Sequence, residues 1–185
     1  MRTHPEACSF NETKLDLIFL SSLTYRFKST QTEGEELTSL DDYIARMEEK
    51  QTAIYYLPGD NIESLRKSPL LQKYEKHDIE VLLLDDPIDE FCMQHLSEYE
   101  KNKLKSIAKE DSETFDKDED SKKKQVRLKE MYKPLTDWWK QHLGQKVEKV
   151  AVSSRLVEEP AFIFTSQYGY SAHMEKINRG QAFAN

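Results

Sequence analysis

Apolar residues occur along the chain in two patterns, as short unbroken runs and as positions spaced three or four residues apart. The runs Ala53–Leu57 and Ile79–Leu84 are rich in branched or aromatic side chains and end in turn-forming Pro, Gly and Asp, which predicts two buried strands. Between them, Ile62–Arg66 and Leu70–Lys76 have helical spacing. A strand, helix and strand of this length predict a right-handed crossover and a parallel strand pair.

Further helices are predicted on both sides of this unit. Ser39 is a good N-cap for a helix over Leu40–Glu48, and another helix is expected to begin near Pro87 and to run to Leu96.

The segment Lys101–Lys133 is more than half charged. We expect its first half to be a solvated loop. From Ser121 to His142, apolar residues recur among the charges and predict an amphipathic helix, with a bend at Pro134 and one side packed against a core.

Beyond Gly144, which should end that helix, the pattern changes again. Val147–Val152 and Ala161–Thr165 predict two strands separated by a turn, and Ser171–Ala182 predicts a short closing helix. The fold class expected for the chain is therefore α/β, with a small α/β/α unit that contains the parallel strand pair, followed by an α+β part.

Composition restricts the partners. The chain has 185 residues, enough for one or two compact units, and its net charge of −7 disfavours nucleic acid and anionic lipid. Proteins are the favoured partners. Cys8 and Cys92 give neither a disulfide framework nor a zinc pattern, and Leu15–Leu23 is too short to cross a bilayer, so no membrane insertion is expected.

Several patterns suggest chemistry, but each has a stronger structural explanation. Gly59 lies between a strand and a helix without a phosphate-binding motif around it. The acidic run Asp85–Glu90 follows a strand, where metal sites occur, yet a capped helix start explains it better. Cys92 and His95 lack a second ligand pair, and His173 begins an HxE triplet without its PCxxC partner. No catalytic residue or metal ligand is predicted.

Tyr170, Met174 and Ile177 lie at helical spacing and place an aromatic ring, a thioether and a branched alkyl group on one helix face. Such a face packs into a core in most helices. It also suits contact with varied apolar partners, because Met and aromatic side chains adapt well to them. Both interpretations stay open at this point.

Several separated strings resemble the heat shock protein 90 chaperones in the same order and spacing. They are SLDDYIARM, IYYLPG, DPIDE and SQYGYSAHME, and the similarity covers Tyr25–Asn185. The string EFC at Glu90–Cys92 and the string SQYG are closer to the endoplasmic-reticulum branch, endoplasmin. The resemblance thus implies the endoplasmic reticulum lumen, with the cytoplasm as the alternative.

The resemblance implies an ATP-dependent, homodimeric clamp that matures partly folded client proteins together with co-chaperones. In that family ATP and Mg bind an N-terminal domain, which we expect to lie outside this chain, and the dimerisation helices follow beyond its end. The chain alone is therefore expected to be no ATPase, to hold no cofactor and to be monomeric or weakly associated.

The resemblance also divides the chain. Residues 1–24 depart from the family, 25–142 correspond to the small α/β/α part of its middle region, and 143–185 to the beginning of a truncated C-terminal domain. Tyr170 and Met174 match positions of a client-facing amphipathic helix, although the usual tryptophan is replaced by Tyr170, and Ile177 completes this candidate client-binding face. The alternatives are a segment that transmits clamp movement and a small α/β metal-dependent enzyme that uses the acidic run.

Overall fold

The computed structural model describes residues 26–182 apart from 33, 35, 49–50, 97, 110–118, 154–155, 167–168 and 170. The atypical residues 1–24 lie outside the described residues, as does much of the charged loop expected before Ser121. Contacts divide the chain into two compact units. The first, called here the sheet unit, comprises the described residues of Met1–Ser112 and Ile163–Asn185, and the second those of Glu113–Phe162.

The sheet unit contains both helices and strands, and the second unit is mainly one long helix. In chain order the elements are β1 (Lys28–Ser29), α1 (Leu40–Arg46), β2 (Ala53–Pro58), α2 (Ile62–Arg66), α3 (Leu71–Lys76), β3 (Val81–Leu84), α4 (Pro87–His95), β4 (Glu98–Tyr99), β5 (Asn102–Ser106), α5 (Glu119–Leu143), a 3-10 turn (Gly144–Lys146) and α6 (Ala172–Ala182).

The strands form one mixed sheet in the order β1-β3-β2-β5-β4. β2 runs parallel to β3 on one side and to β5 on the other, whereas β1 and β4 pair antiparallel with β3 and β5 at the two edges. The α/β class and the parallel strand pair are confirmed.

All six positions of β2 are buried, as are all four of β3. On one face, the apolar side chains form a core with α1 and α4; its members are Phe27, Leu40, Tyr43, Ile54, Tyr56, Leu82, Leu84, Met93 and Tyr99. On the other face, the ring of Tyr55 contacts Tyr74 of α3 edge-on, with centroids 5.0 Å apart. Burial of both faces is what makes these strands continuous apolar runs.

The buried hydroxyl of Tyr43 joins α1 to the two central strands. It donates to the carbonyl oxygen of Glu80 at 2.6 Å, and it accepts from the backbone amide of Tyr55 at 3.1 Å and from Nε2 of Gln51 at 2.9 Å. Burial raises the pKa of Tyr43, so the hydroxyl keeps its proton and remains a donor.

Arg46 forms a second tie between α1 and the sheet. Its Nε and Nη2 donate to the two carboxylate oxygens of Glu80 at 3.0 and 2.8 Å, and Nη2 also donates to Oγ1 of Thr38 at 2.6 Å. The helix itself begins with a capping box, in which Ser39 and Asp42 each bond to the other's backbone amide. Its start and its docking are thus both held by polar contacts.

The prediction of a solvated loop was wrong for Asn102–Ser106, because these residues form β5 beside the central strand. The charged side chain of Lys103 remains exposed while its backbone pairs with Ala53 of β2. The buried strand β2 requires a hydrogen-bonded neighbour at this edge, and a Lys-rich segment can supply one with its main chain.

The two strands expected over Val147–Val152 and Ala161–Thr165 were also wrong. Where these ranges are described, their residues lie outside regular strands, and Thr165 makes an isolated bridge to Lys109. The amide of Thr165 donates to the carbonyl oxygen of Ala108 at 3.3 Å. β-branched composition alone does not make a strand, because each strand also needs a partner edge.

The predicted amphipathic helix is confirmed as α5, a 25-residue helix with Pro134 inside it. The prediction that one side of this helix packs against a core was wrong, because its large apolar side chains are 38–59 % exposed. They are Val126, Leu128, Met131, Tyr132, Leu135, Trp138 and Trp139. After α5 the chain turns at Gly144, which has a φ of +54°, and Lys140 donates to the carbonyl of Val147. None of the described helices is long and apolar enough to cross a membrane.

Replacing Tyr43 with Phe tests the tie between α1 and the strands. The variant loses the hydrogen bonds of a fully buried hydroxyl, which water cannot replace, so we expect the free energy of unfolding to fall by about 1–3 kcal/mol in urea titrations. The control is Tyr132→Phe, which removes the same group from an exposed position of α5 and should change stability by less than about 0.5 kcal/mol. Equal losses in the two variants would contradict the role given to Tyr43.

Candidate functional site

The C-terminal helix α6 packs against α4 within the sheet unit. The side chain of Ser171 caps it, because Oγ accepts from the amide of Met174 at 3.1 Å and the carbonyl of Ser171 accepts from Glu175 at 2.9 Å. α6 confirms the short closing helix predicted from the sequence. Its position beside α4 could not be read from the local pattern.

The residues predicted to contact clients differ in their exposure. Met174 is buried, with 9 % of its surface exposed, and Ile177 is half-buried. Tyr170 lies outside the described residues. In this arrangement α6 turns Met174 towards the protein, so the thioether does not offer a free contact surface while the helix is docked.

Polar contacts of His173 and Lys176 join α6 to the rest of the sheet unit. Nδ1 of His173 lies 3.1 Å from Oε2 of Glu90, a buried carboxylate on α4, which accepts a hydrogen bond from the ring. Nζ of Lys176 donates to Oδ2 of Asp60 at 2.7 Å, and Nε2 of His173 lies 4.0 Å from Oδ1 of the same aspartate. The Lys176 ammonium holds the pKa of Asp60 below its ordinary value.

An exposed apolar pair lies on α4, the helix beside α6. Ile88 is 58 % exposed and Phe91 is 52 % exposed, and the imidazole of His95 lies against the Phe91 ring with centroids 4.1 Å apart. The three residues are spaced three and four apart and therefore share one stripe of the helix. Ile88 and Phe91 are called the α4 pair below.

The α4 pair was not among the candidate residues predicted from the sequence. The signal was present as the spacing of Ile88 and Phe91 directly after the acidic run, but we assigned that spacing to a helix start. An amphipathic stripe looks the same in sequence whether it packs inward or faces solvent.

The acidic run Asp85–Glu90 serves mainly to begin α4. Oδ1 of Asp86 accepts from the amide of Ile88 at 2.8 Å, and Pro87 occupies the first turn, which confirms the expected capped helix start. Burial, followed by repulsion from Asp86 and Asp85, raises the pKa of Asp89 to about 6. Glu90 turns inward to His173. Within the described part of the chain, no group of three or more His, Cys, Asp and Glu side chains is placed to hold a metal ion.

Cys92 and His95, considered above as metal ligands, have other surroundings. Cys92 is half-buried, and burial raises the pKa of its thiol, which keeps the thiol protonated. Nδ1 of His95 lies 2.8 Å from the carbonyl oxygen of Phe91, one turn earlier in the helix. Both residues therefore belong to the structure of α4.

Gly59, the candidate phosphate contact, has its backbone amide engaged. The amide donates to the carbonyl oxygen of Leu84 at 2.9 Å, and a Cβ on Gly59 would come within 2.6 Å of Cδ2 of Leu65. The glycine thus permits close packing between strand and helix. Neither this turn nor the acidic run fits the Mg and ATP that the resemblance implies for the full-length protein.

Comparisons with known proteins agree with one another. A family model described as Hsp90 protein matches residues 17–185. The chain is 46 % identical over 160 residues to heat shock protein 90-5, chloroplastic, of Arabidopsis thaliana, which covers 86 % of this chain and 20 % of that protein. It is 44 % identical over 161 residues to an endoplasmin homolog of Catharanthus roseus, with 86 % and 19 % covered. An endoplasmin homolog of Caenorhabditis elegans is 41 % identical over 160 residues, with 86 % and 21 % covered.

The chain therefore spans about a fifth of the length of the curated relatives that it matches. The similarity extends over most of this chain, including α4, α6 and the strands between them.

The raised pKa of Asp89 predicts a pH-dependent stability. Folded Asp89 keeps its proton up to about pH 6, whereas the unfolded side chain has an ordinary pKa of 3.8, so ionisation removes stability as the pH rises between these values. The shift corresponds to at most about 3 kcal/mol, and the favourable position near the N-terminus of α4 offsets part of it. Asp89→Asn should therefore raise the free energy of unfolding by about 1–2 kcal/mol at pH 7.5 and leave it unchanged below about pH 4.

Urea titrations from pH 3.5 to 8 measure this difference. Asp137→Asn removes an equal charge from an exposed position of α5 and serves as the control. A difference for Asp89→Asn that is constant with pH would show that the side-chain charge is not its source.

Proposed function

The chain belongs to the Hsp90 family, and from this we propose that it is part of a molecular chaperone that binds partly folded client proteins. The observation that carries the proposal is the α4 pair, an exposed isoleucine and phenylalanine beside the helix that the sequence had selected. Partly folded proteins expose apolar side chains, and an exposed apolar pair offers them a contact from which water is expelled.

The proposed client-binding face includes residues of both helices. On α4 it comprises Ile88 and Phe91, and on the C-terminal segment it comprises the original candidates Tyr170, Met174 and Ile177. The aromatic ring of Phe91 supplies a large contact area, and the thioether of Met174 can adapt to side chains of different shape. Met174 is buried while α6 is docked, so the observed exposure favours Ile88 and Phe91 over the candidates on the C-terminal segment.

The surrounding charges also suit an unfolded polypeptide. Asp85, Asp86 and Asp89 lie around the start of α4 next to the apolar pair. Client segments with basic residues beside apolar ones would meet complementary charge there, whereas strongly acidic segments would be repelled.

The wider properties follow the family and are proposed for the full-length protein. They are ATP hydrolysis with Mg in a separate N-terminal domain, homodimerisation through helices beyond this region, and co-chaperone binding. The piece described here would act without a cofactor and without ATPase activity of its own. We propose the endoplasmic reticulum lumen as its compartment, with the cytoplasm as the alternative; the relative named chloroplastic adds the plastid as a third compartment for fractionation to test.

The domain boundaries proposed from the family are 25–142 for the small middle-region part and 143–185 for the start of the C-terminal domain. The two compact units defined by contacts have other boundaries than these domains, since α6 is grouped with the sheet and α5 lies in the second unit. Limited proteolysis followed by mass spectrometry would locate the sites that are cleaved first.

Replacing the α4 pair with serine tests client binding. The chain should suppress the light scattering of a thermally unfolding model protein, and Ile88→Ser with Phe91→Ser should weaken this suppression at least about tenfold, because two exposed apolar side chains are removed from the contact. The fold should persist, since both side chains are more than half exposed.

The matched control is Leu37→Ser, which removes an apolar side chain that is 51 % exposed elsewhere in the sheet unit. It should leave suppression unchanged. The variant Tyr170→Ser with Met174→Ser, tested beside them, measures the part of the C-terminal segment. Suppression equal to that of the unmodified chain in the α4 variant would refute the α4 pair, and no suppression by the unmodified chain would favour the role of a segment that transmits clamp movement.

A further inference from the structure

We propose that α6 is a reversible cover for its own part of the client-binding face, Met174 and Ile177, and that a polar latch holds it docked on α4. The latch consists of two hydrogen bonds, His173 with Glu90 and Lys176 with Asp60. Opening it would lift α6 from α4 and expose Met174. The inference rests on the proposed function, because it concerns the regulation of that same face.

The two contacts are arranged as a latch rather than as scattered ion pairs. His173 and Lys176 are three residues apart and share one face of α6. Their acceptors come from two different places in the sheet unit, since Asp60 follows β2 and Glu90 lies on α4. Both contacts therefore break together when α6 moves away as one body.

The two halves of the latch differ in strength. The side chains of Lys176 and Asp60 are 69 % and 54 % exposed, and an exposed pair of this kind shifts an equilibrium by less than about fivefold. The side chains of His173 and Glu90 are only 9 % and 2 % exposed, so their contact is shielded from water. The closed position thus depends more on the buried contact, and the exposed contact adjusts it.

Two properties favour the open form and so make the docking of α6 reversible. The buried carboxylate of Glu90 regains water when α6 leaves, which offsets part of the lost contact. The cover is also a weak helix, because Asn178 and Gly180 have low helical propensity and both are exposed. Burial of Met174 favours the closed position.

The consequence for binding is a shift of population. Clients that contact Met174 and Ile177 bind only the open form, whereas the α4 pair is exposed in both forms. Such clients pull the cover open, and their apparent affinity falls by the fraction of molecules that are open. Loosening the latch should therefore strengthen client binding without adding a contact.

Latch variants test this in the full chain, beginning without any client. We expect Lys176→Gln and Asp60→Asn to speed amide hydrogen exchange along α6 about two- to fivefold, and His173→Ala to speed it about tenfold. Asp60 is not part of α6, so its variant cannot act through helix propensity. The control is Arg179→Gln, which breaks the pair of Arg179 with Glu175 inside α6 and leaves both latch contacts intact.

The same variants are then compared in the light-scattering assay. Suppression should reach its midpoint at a concentration several-fold lower for Lys176→Gln and Asp60→Asn than for Arg179→Gln. Exchange in α6 that is no faster in the latch variants than in Arg179→Gln would overturn the proposal, as would faster exchange with unchanged suppression by an otherwise active chain. Faster exchange in a chain that suppresses nothing, even with the latch broken, would support the latch and refute the client-binding function.

Discussion

The sheet unit depends on one constraint, the complete burial of β2. A strand buried on both faces needs helices above and below and a hydrogen-bonded neighbour at each edge. β3 and β5 fill the edges, Tyr43 of α1 reaches the backbone of Tyr55 from one side, and Tyr74 of α3 contacts the Tyr55 ring on the other. The hydrogen bonds of α1 and the apolar core thus both follow from the burial of β2.

Local sequence signals predicted those elements whose formation is decided locally. The N-cap residue Ser39 indicated the start of α1, and the unbroken apolar runs indicated β2 and its parallel partner. β5 was missed because this strand forms through backbone hydrogen bonds with β2. The exposed charge of Lys103 had indicated a loop instead. Val147–Val152 shows the converse, since β propensity without a partner edge produced no strand.

The candidate site was predictable in part for the same reason. Helical spacing identified α6 as a helix with an apolar face, but spacing does not determine whether Met174 is exposed or buried. Phe91 shows the opposite ambiguity, because an apolar residue in a capped helix is buried more often than exposed. Tertiary packing sets the exposure of both residues, and the packing of α6 on α4 joins residues far apart in the sequence.

The packing of α6 follows from the parallel strands. Pro58 pairs with Leu84, so the parallel strands β2 and β3 end side by side. The acidic residues that follow them, Asp60 and Asp85–Glu90, therefore lie at the same end of the sheet. The raised pKa of Asp89 reflects the repulsion at this end as well as its burial. His173 and Lys176 of α6 supply donors to two of these carboxylates. The charge that gathers there therefore contributes to the docking of α6 on α4, together with the burial of Met174.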